Sequence, residues 1–322
     1  MTEVAVIGGG AWGTSIANLL GTNGHKVHLW CFEEEVAKEI NKSHENKLFL
    51  SGIKLSENIV ATNDFNDLKE VKAVFSVIPA QFTKDTLSQI VNIIDKDVPI
   101  VICSKGIENK SQRLLSDIIR EVFLHNNIAV MSGPNFADEV ARGEAAITTI
   151  ACTDNEVAQF ISYLLENEKF GTSVCNDIIG AQLGGSIKNV MAIALGIATG
   201  LEMSQSSKAA LLTMAINEIN SLSDALGGDI KTASEPCIVG DLILTCSSRK
   251  SRNMSLGYEL GKGKSLEEIM ANRKTVVEGV ATTKAAKSVA DKFSLNLTII
   301  NTIYDILYND VKVSKDLFTK FG

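Results

Sequence analysis

The feature that most restricts the fold is a glycine run near the start of the chain. Gly8-Gly9-Gly10-Ala11-Trp12-Gly13 follows the apolar stretch Val4-Ala5-Val6-Ile7 and fits the spacing G-x-G-x-x-G. Between a strand and a helix this spacing has a physical meaning. Gly8 permits a tight turn, Gly10 lets the backbone approach a pyrophosphate, and Gly13 allows the helix to pack closely on the strand. The helix N-terminus then offers amide donors and a partial positive charge to phosphate oxygens. Glycine-rich turns also arise for purely structural reasons, so the motif depends on its context. Here the context is a second β-branched run, Lys26–Cys31, which leads into Phe32 and Glu33. A carboxylate at the end of the second strand is placed to accept from a ribose 2′-hydroxyl in such a unit.

Further short apolar runs, at Ala73–Ile78, Val98–Cys103, Ile128–Met131 and Ala146–Ala151, alternate with amphipathic stretches and predict a mostly parallel sheet. One weak strand is expected near Ile59-Val60. From about Asp177 onward the pattern is helical only, with helices predicted over Ile178–Met203, Lys208–Leu226, Thr283–Phe293 and Thr298–Tyr308. A chain of 322 residues with 45% hydrophobic and 21% charged residues suits two domains. The expected division is an α/β dinucleotide-binding domain over 1–177 and an all-α domain over 178–322. The net charge is −7, and no block of Lys and Arg marks a nucleic-acid surface. The N-terminus lacks the pattern of a secretory leader, which predicts a cytoplasmic protein. No apolar run reads as a membrane span, the nearest being Val190 to Leu201. The six cysteines form no C-x-x-C pair and sit mostly in apolar runs, so buried thiols and no metal are expected.

Five polar clusters interrupt this framework. Lys105, in Ser104-Lys105-Gly106, follows the Val98–Cys103 strand, on the side where open parallel sheets bind ligands. Its plain alternative is a solvated loop lysine. Ser132-Gly133-Pro134-Asn135-Phe136-Ala137 follows the next strand, and Gly-Pro is expected to open a helix with free amides. Gly184-Gly185-Ser186-Ile187-Lys188-Asn189 lies in an otherwise apolar helix, where adjacent glycines cost about 1 kcal/mol each relative to Ala, implying a close approach to the backbone. Lys188 there either snorkels or is functional. All four histidines, His25, His28, His44 and His125, lie in the first half, so no histidine acid or base comes from the second. Asp241 and Thr245 share one helix face, and Ser251-Arg252-Asn253 offers a guanidinium fork and an amide suited to phosphate, or else an exposed turn. Lastly, Glu278, after Val276 and Val277, is either a first-turn acid or a cofactor contact.

Taken together and in this order, these motifs resemble the bacterial NAD(P)-dependent glycerol-3-phosphate dehydrogenase family over essentially the whole chain. The resemblance implies a Rossmann-like N-terminal domain carrying NAD(P)H and an all-α C-terminal domain carrying the substrate, dihydroxyacetone phosphate or sn-glycerol 3-phosphate. It implies Lys188 as the proton donor and acceptor, with Lys105, Gly133, Asn135, Asn189, Asp241 and Thr245 beside the substrate and Ser251, Arg252 and Asn253 near its phosphate. Besides the glycine loop, it places Ala11, Trp12, Phe32, Lys105, Ala137, Arg252, Val276 and Glu278 toward the cofactor. The acids Glu33, Glu34 and Glu35 favour NADH, with either cofactor accepted. The sequence departs from the family pattern at Asn135, Met214 and Pro236–Ile238. A homodimer is among the arrangements left open. The rival readings are a related 3-hydroxyacid dehydrogenase, against which the Ser251–Asn253 cluster speaks, and a non-catalytic nicotinamide-binding sensor, which would not need Lys188.

Overall fold

The computed structural model describes residues 1–248, 250–271, 273 and 277–318. The chain divides into two compact units, one of Met1–Lys105 and Leu115–Ile178 and the other of Gly106–Leu114 and Ile179–Gly322.

The first unit is built on eight strands: β1 (Glu3–Ile7), β2 (Lys26–Trp30), β3 (Ile59–Thr62), β4 (Val74–Ser76), β5 (Ile100–Ile102), β6 (Ile128–Ser132), β7 (Ala146–Cys152) and β8 (Phe170–Cys175). They lie in the order β3-β2-β1-β4-β5-β6-β7-β8. Every neighbouring pair is parallel except β6 and β7. The order reverses at β1 and β4, and the crevice beyond the carboxyl ends of these strands is where such sheets hold ligands. Six helices belong to this unit: α1 (Ala11–Thr22), α2 (Glu34–Ser43), α3 (Thr83–Leu87), α4 (Leu115–Val122), α5 (Ala137–Ala141) and α6 (Asn155–Leu165). Val4, Val6, Leu29, Phe75, Val101 and Ala129 form a continuous core with Ile16, Leu20 and Ile161 from the helices. Such near-continuous apolar strands are what burial on both faces requires.

The second unit is helical: α7 (Ile178–Gly200), α8 (Gln205–Ala225), α9 (Asp241–Ser247), α10 (Arg252–Gly261), α11 (Leu266–Ala271), α12 (Glu278–Lys292) and α13 (Thr298–Tyr308), with a 3₁₀ turn at Ile230–Ser234 and a π-helical turn at Pro236–Gly240. Helix α7 is its axis. The run Val190 to Leu201 extends within it to a helix of 23 residues, long and apolar enough to cross a membrane by length and composition, yet 94% of its apolar window is buried inside the protein. Burial on all sides suits a core helix.

A seam of small residues joins α7 to α10. A Cβ on Gly196 would stand 2.4 Å from the Met254 carbonyl oxygen, and one on Gly257 would stand 2.0 Å from that of Ile193. Gly200 and Gly261 repeat the contact four residues further along both helices. The two helices therefore run in the same direction with their backbones touching, which only glycine permits. Elsewhere in this unit, the Glu218 carboxylate on α8 caps α13, accepting from the amides of Ile299 (2.6 Å) and Ile300 (3.1 Å). Burial pushes that acid up to about 7 despite the two amide donors, which act in the opposite direction.

The predicted strands and long helices are all present, the weak strand near Ile59 included. Strand β8 is an addition to the expected set. Phe170-Gly-Thr-Ser-Val-Cys is largely half-buried at the sheet edge and carries no clean alternation. A second addition is the excursion of residues 106–114 into the second unit, where the Gly106 amide donates to Ser186 Oγ (2.9 Å) and Ser288 Oγ to Gln112 Oε1 (2.5 Å).

Candidate functional site

In the first unit the glycine loop has the geometry its spacing implies. Gly8 adopts φ +124°, outside the range of ordinary side chains. Gly13 is pressed so closely that a Cβ would stand 1.8 Å from the Gly8 carbonyl oxygen. Gly10 differs: a Cβ there would meet nothing within 4 Å, and as N-cap of α1 it leaves the first-turn amides without a side-chain partner. That open space over uncapped amides fits an anionic group such as a pyrophosphate. Gly8, Gly9 and Gly10 line a cleft of about 450 Å³ with Trp30, Phe32, Glu33, Phe49, Val77, Ile78, Pro79, Phe82 and Thr86. Ala11 and Trp12 are half-buried and pack on the core. Phe49, Phe82 and Thr86 carry no sequence signal, because they reach the cleft from segments outside the glycine motif.

At the ends of β5 and β6 the structure brings Lys105 and Gly133 together, with Lys105 Nζ 3.2 Å from the Gly133 carbonyl oxygen. Gly133 is also a close-packing position, since a Cβ would stand 2.8 Å from Thr148 Cα on β7. Asn135 turns back on this segment, its amide donating to Gly133 O (2.9 Å) and its Nδ2 to Ile147 O (3.0 Å). Its Oδ1, with Ser132 Oγ and Thr148 Oγ1, is buried without a hydrogen-bond partner in the protein. Buried acceptors left open in this way suit a ligand that donates. Contrary to expectation, Gly133-Pro134 does not open a helix: α5 begins at Ala137, behind an N-cap at Phe136, and its first turn carries Asp138 and Glu139. The turn closed by Asn135 takes up the residues that the Gly-Pro pair was expected to start as a helix.

In the second unit Lys188 and Asp241 form a buried ion pair, with side chains 9% and 1% exposed. The pairing depends on Gly184, one turn earlier on α7. A Cβ there would stand 2.6 Å from Cys237 O in the π-helical turn that leads into Asp241. The close approach expected at Gly184-Gly185 is thus made by the chain itself. Thr245 lies one turn after Asp241 on α9 and is buried. Cys246 beside the pair is pushed up to about 12, chiefly by burial and in part by Asp241, with Lys188 pulling the other way, so its thiol stays protonated.

A second network adjoins the first. Asn253 Nδ2 donates to Asn189 Oδ1 (2.8 Å), Asn253 Oδ1 accepts from the Gly279 amide (2.9 Å), and Asn189 Nδ2 donates to Glu278 Oε2 (3.3 Å). Arg252, about half exposed at the start of α10, stands 4.0 Å from Glu278 Oε1. Ser251 is the N-cap of α10, its Oγ accepting from the Met254 amide (3.3 Å), and Glu278 is the first residue of α12. Val276 lies outside the described residues.

Comparison with known proteins matches the chain in two parts. Residues 3–158 match the family described as NAD-dependent glycerol-3-phosphate dehydrogenase N-terminus, and residues 177–317 match its C-terminus. A glycerol-3-phosphate dehydrogenase [NAD(P)+] of Parvibaculum lavamentivorans is 41% identical over 311 residues, covering 97% of this chain and 93% of that protein. Among solved structures, the glycerol-3-phosphate dehydrogenase of Coxiella burnetii superposes with a TM-score of 0.91 at 28% identity, covering 99% of this chain and 98% of that one. The corresponding yeast enzyme superposes with a TM-score of 0.88 at 28% identity, covering 99% of both chains.

Proposed function

The chain belongs to the NAD-dependent glycerol-3-phosphate dehydrogenase family, and from that premise we propose that it interconverts sn-glycerol 3-phosphate and dihydroxyacetone phosphate. When bound, NAD(P)H supplies the hydride to the C2 carbonyl carbon, and NAD(P)+ accepts it in reverse.

The chain's own residues handle charge and protons. As C2 gains hydride its oxygen becomes an alkoxide, and the Lys188 ammonium donates the proton that converts it to a hydroxyl. In the other direction the neutral amine takes that proton back. Asp241 holds Lys188 Nζ in place, with Thr245 beside it. Arg252 binds the substrate phosphate as a charge-assisted donor, and Asn253, whose carboxamide is braced on Asn189 and Gly279, directs a remaining N–H toward it. Lys105, Gly133, Asn135 and Asn189 complete the substrate side. Gly8, Gly10, Ala11, Trp12, Gly13, Phe32, Glu33, Ala137 and Glu278 serve the cofactor, so that 1–177 carries the dinucleotide and 178–322 the substrate. The proposal extends to a cytoplasmic enzyme without a membrane span, α7 being a core helix, which works as a homodimer and supplies glycerol 3-phosphate for phospholipid synthesis.

The observation that carries this reading is the buried Lys188–Asp241 pair. Taking two charges out of water costs several kcal/mol per ion, and an apolar pair of similar volume is often as stable or more so. A sensor that only bound dinucleotide would have no use for it. Purified protein with dihydroxyacetone phosphate and NADH or NADPH is expected to lose absorbance at the dihydronicotinamide band. Dinucleotide binding without turnover would leave the sensor reading in its place.

A further inference from the structure

The proposed function leaves open how the adenosine ribose is recognised. Three observations meet at the turn after β2. Glu33 is the one charged side chain among the described residues lining the glycine-loop cleft. The turn that carries it is held from the end of β3: Asn63 Nδ2 donates to both the Cys31 and Phe32 carbonyl oxygens, at 2.7 and 2.8 Å. Trp30 Nε1 donates to Asn63 O (3.2 Å), and the Trp30 ring stacks on Phe65 with centroids 4.5 Å apart and planes at 12°. The surroundings are acidic. Asp64, next to Asn63, is held below the usual carboxylate range by the Asn66 backbone and side-chain amides, and Lys38 on the adjoining helix is paired with Glu34 at 2.7 Å.

A carboxylate can accept from a ribose 2′-hydroxyl, but it repels a 2′-phosphate only if it cannot swing aside. A double hydrogen bond to the two carbonyls preceding Glu33 fixes the backbone from which its side chain springs, and so confines where the carboxylate can reach. Resting on the proposed function, we infer that Asn63 is a positioning residue for cofactor choice, clamping the β2 turn so that Glu33 admits a ribose with a free 2′-hydroxyl and turns away a 2′-phosphate. The chain is accordingly selective for NADH.

The test uses the full chain as wild type, Asn63→Ala, Glu33→Gln and the double variant. Dissociation constants for NADH and NADPH are read from dihydronicotinamide fluorescence, and kcat/KM for each is measured with dihydroxyacetone phosphate at one pH and salt. Wild type is expected to favour NADH by about tenfold or more. Glu33→Gln narrows the ratio to within about threefold, and Asn63→Ala narrows it several-fold. Because Asn63 acts through Glu33, adding Asn63→Ala to Glu33→Gln should leave the ratio where Glu33→Gln alone put it, a non-additivity that general loosening of the fold would not produce. The inference is overturned by a wild type that uses NADPH as well as NADH, by an Asn63→Ala variant that weakens both cofactors equally, or by additive effects in the double variant. If both dinucleotides bind and turn over without discrimination, only the selectivity falls. Failure of both to bind would remove the proposed function as well.

Discussion

The two units hold their polar groups in opposite ways. In the first, the glycine loop is built from backbone: Gly10 faces open space and the first-turn amides of α1 have no side-chain partner. In the second, Lys188 with Asp241 and Asn189 with Asn253 are buried and bonded in pairs. A backbone site tolerates change in the side chains around it and is sensitive to added bulk. A side-chain network has the reverse property, because each member is the partner that offsets the cost of burying another. Substitutions should therefore divide by unit into those that alter binding alone and those that alter binding, turnover and stability at once.

The largest effect is expected at Lys188. Lys188→Ala should lower kcat by about 10²-fold or more, as for removal of a general acid. By removing the cation that faces the buried Asp241 carboxylate, it should also lower stability by about 3–5 kcal/mol. The double change Lys188→Met with Asp241→Leu should recover most of the stability in urea unfolding and none of the turnover. Turnover near wild type in either protein would break the assignment. Next, Arg252→Leu removes a contact of about 1.5–3 kcal/mol and should weaken use of dihydroxyacetone phosphate far more than that of unphosphorylated dihydroxyacetone. Equal losses on both would mean that Arg252 serves the fold or the cofactor.

Glu218 extends the comparison to a buried acid that has amide donors for partners where Asp241 has a lysine. Its folded pKa, about 7, lies above the ordinary carboxylate value, so its protonated form is favoured by folding. The stability it contributes is full below about pH 4.5 and is lost as pH rises toward 7, roughly 3 kcal/mol across that window at about 1.4 kcal/mol per unit. Glu218→Gln should flatten that part of the stability curve, measured by urea unfolding at pH 5 and pH 8. An unchanged slope would show that the carboxylate is ionised in the folded protein well below pH 7. The smallest effect on folding is expected at Gly10→Ala, which should leave the unfolding midpoint nearly unchanged while raising the dinucleotide Kd. Gly13→Ala, with its Cβ driven into the Gly8 carbonyl, should not fold normally. If the two alanine variants behaved alike, the division of labour within the glycine loop would be wrong.

Much of this fold and site is legible in the sequence because it depends on local spacing. The β1-loop-α1 unit, the long apolar α7 and the isolated polarity of Lys188 are patterns within one element. The illegible features depend on residues distant in sequence. Nothing near Asn63 marks it as the clamp on Cys31 and Phe32, since a strand-end Asn is usually a turn residue. The same applies to Gly184, whose partner Cys237 lies more than fifty positions away. Ser251 shows the converse: a hydroxyl in a phosphate-like motif is used as a helix cap. Its capping role shows only once α10 is known as the helix it begins, and the short amphipathic stretch of α10 does not announce itself.

The seam between α7 and α10 has a consequence for how this protein can change. Because carbonyls and α-carbons meet there directly, the two helices cannot slide past one another by a fraction of a turn as helices separated by leucines can. A slip of one residue would rotate the start of α10 by about 100°, carrying Arg252 and Asn253 away from Asn189 and Glu278. The glycines thus act as a gauge that sets distances between side chains one and two turns away. Variation in this unit is free to accumulate on the outer faces of α8, α11 and α13, whereas a single added methyl at Gly196 or Gly257 would disturb a cluster of polar groups that it never touches.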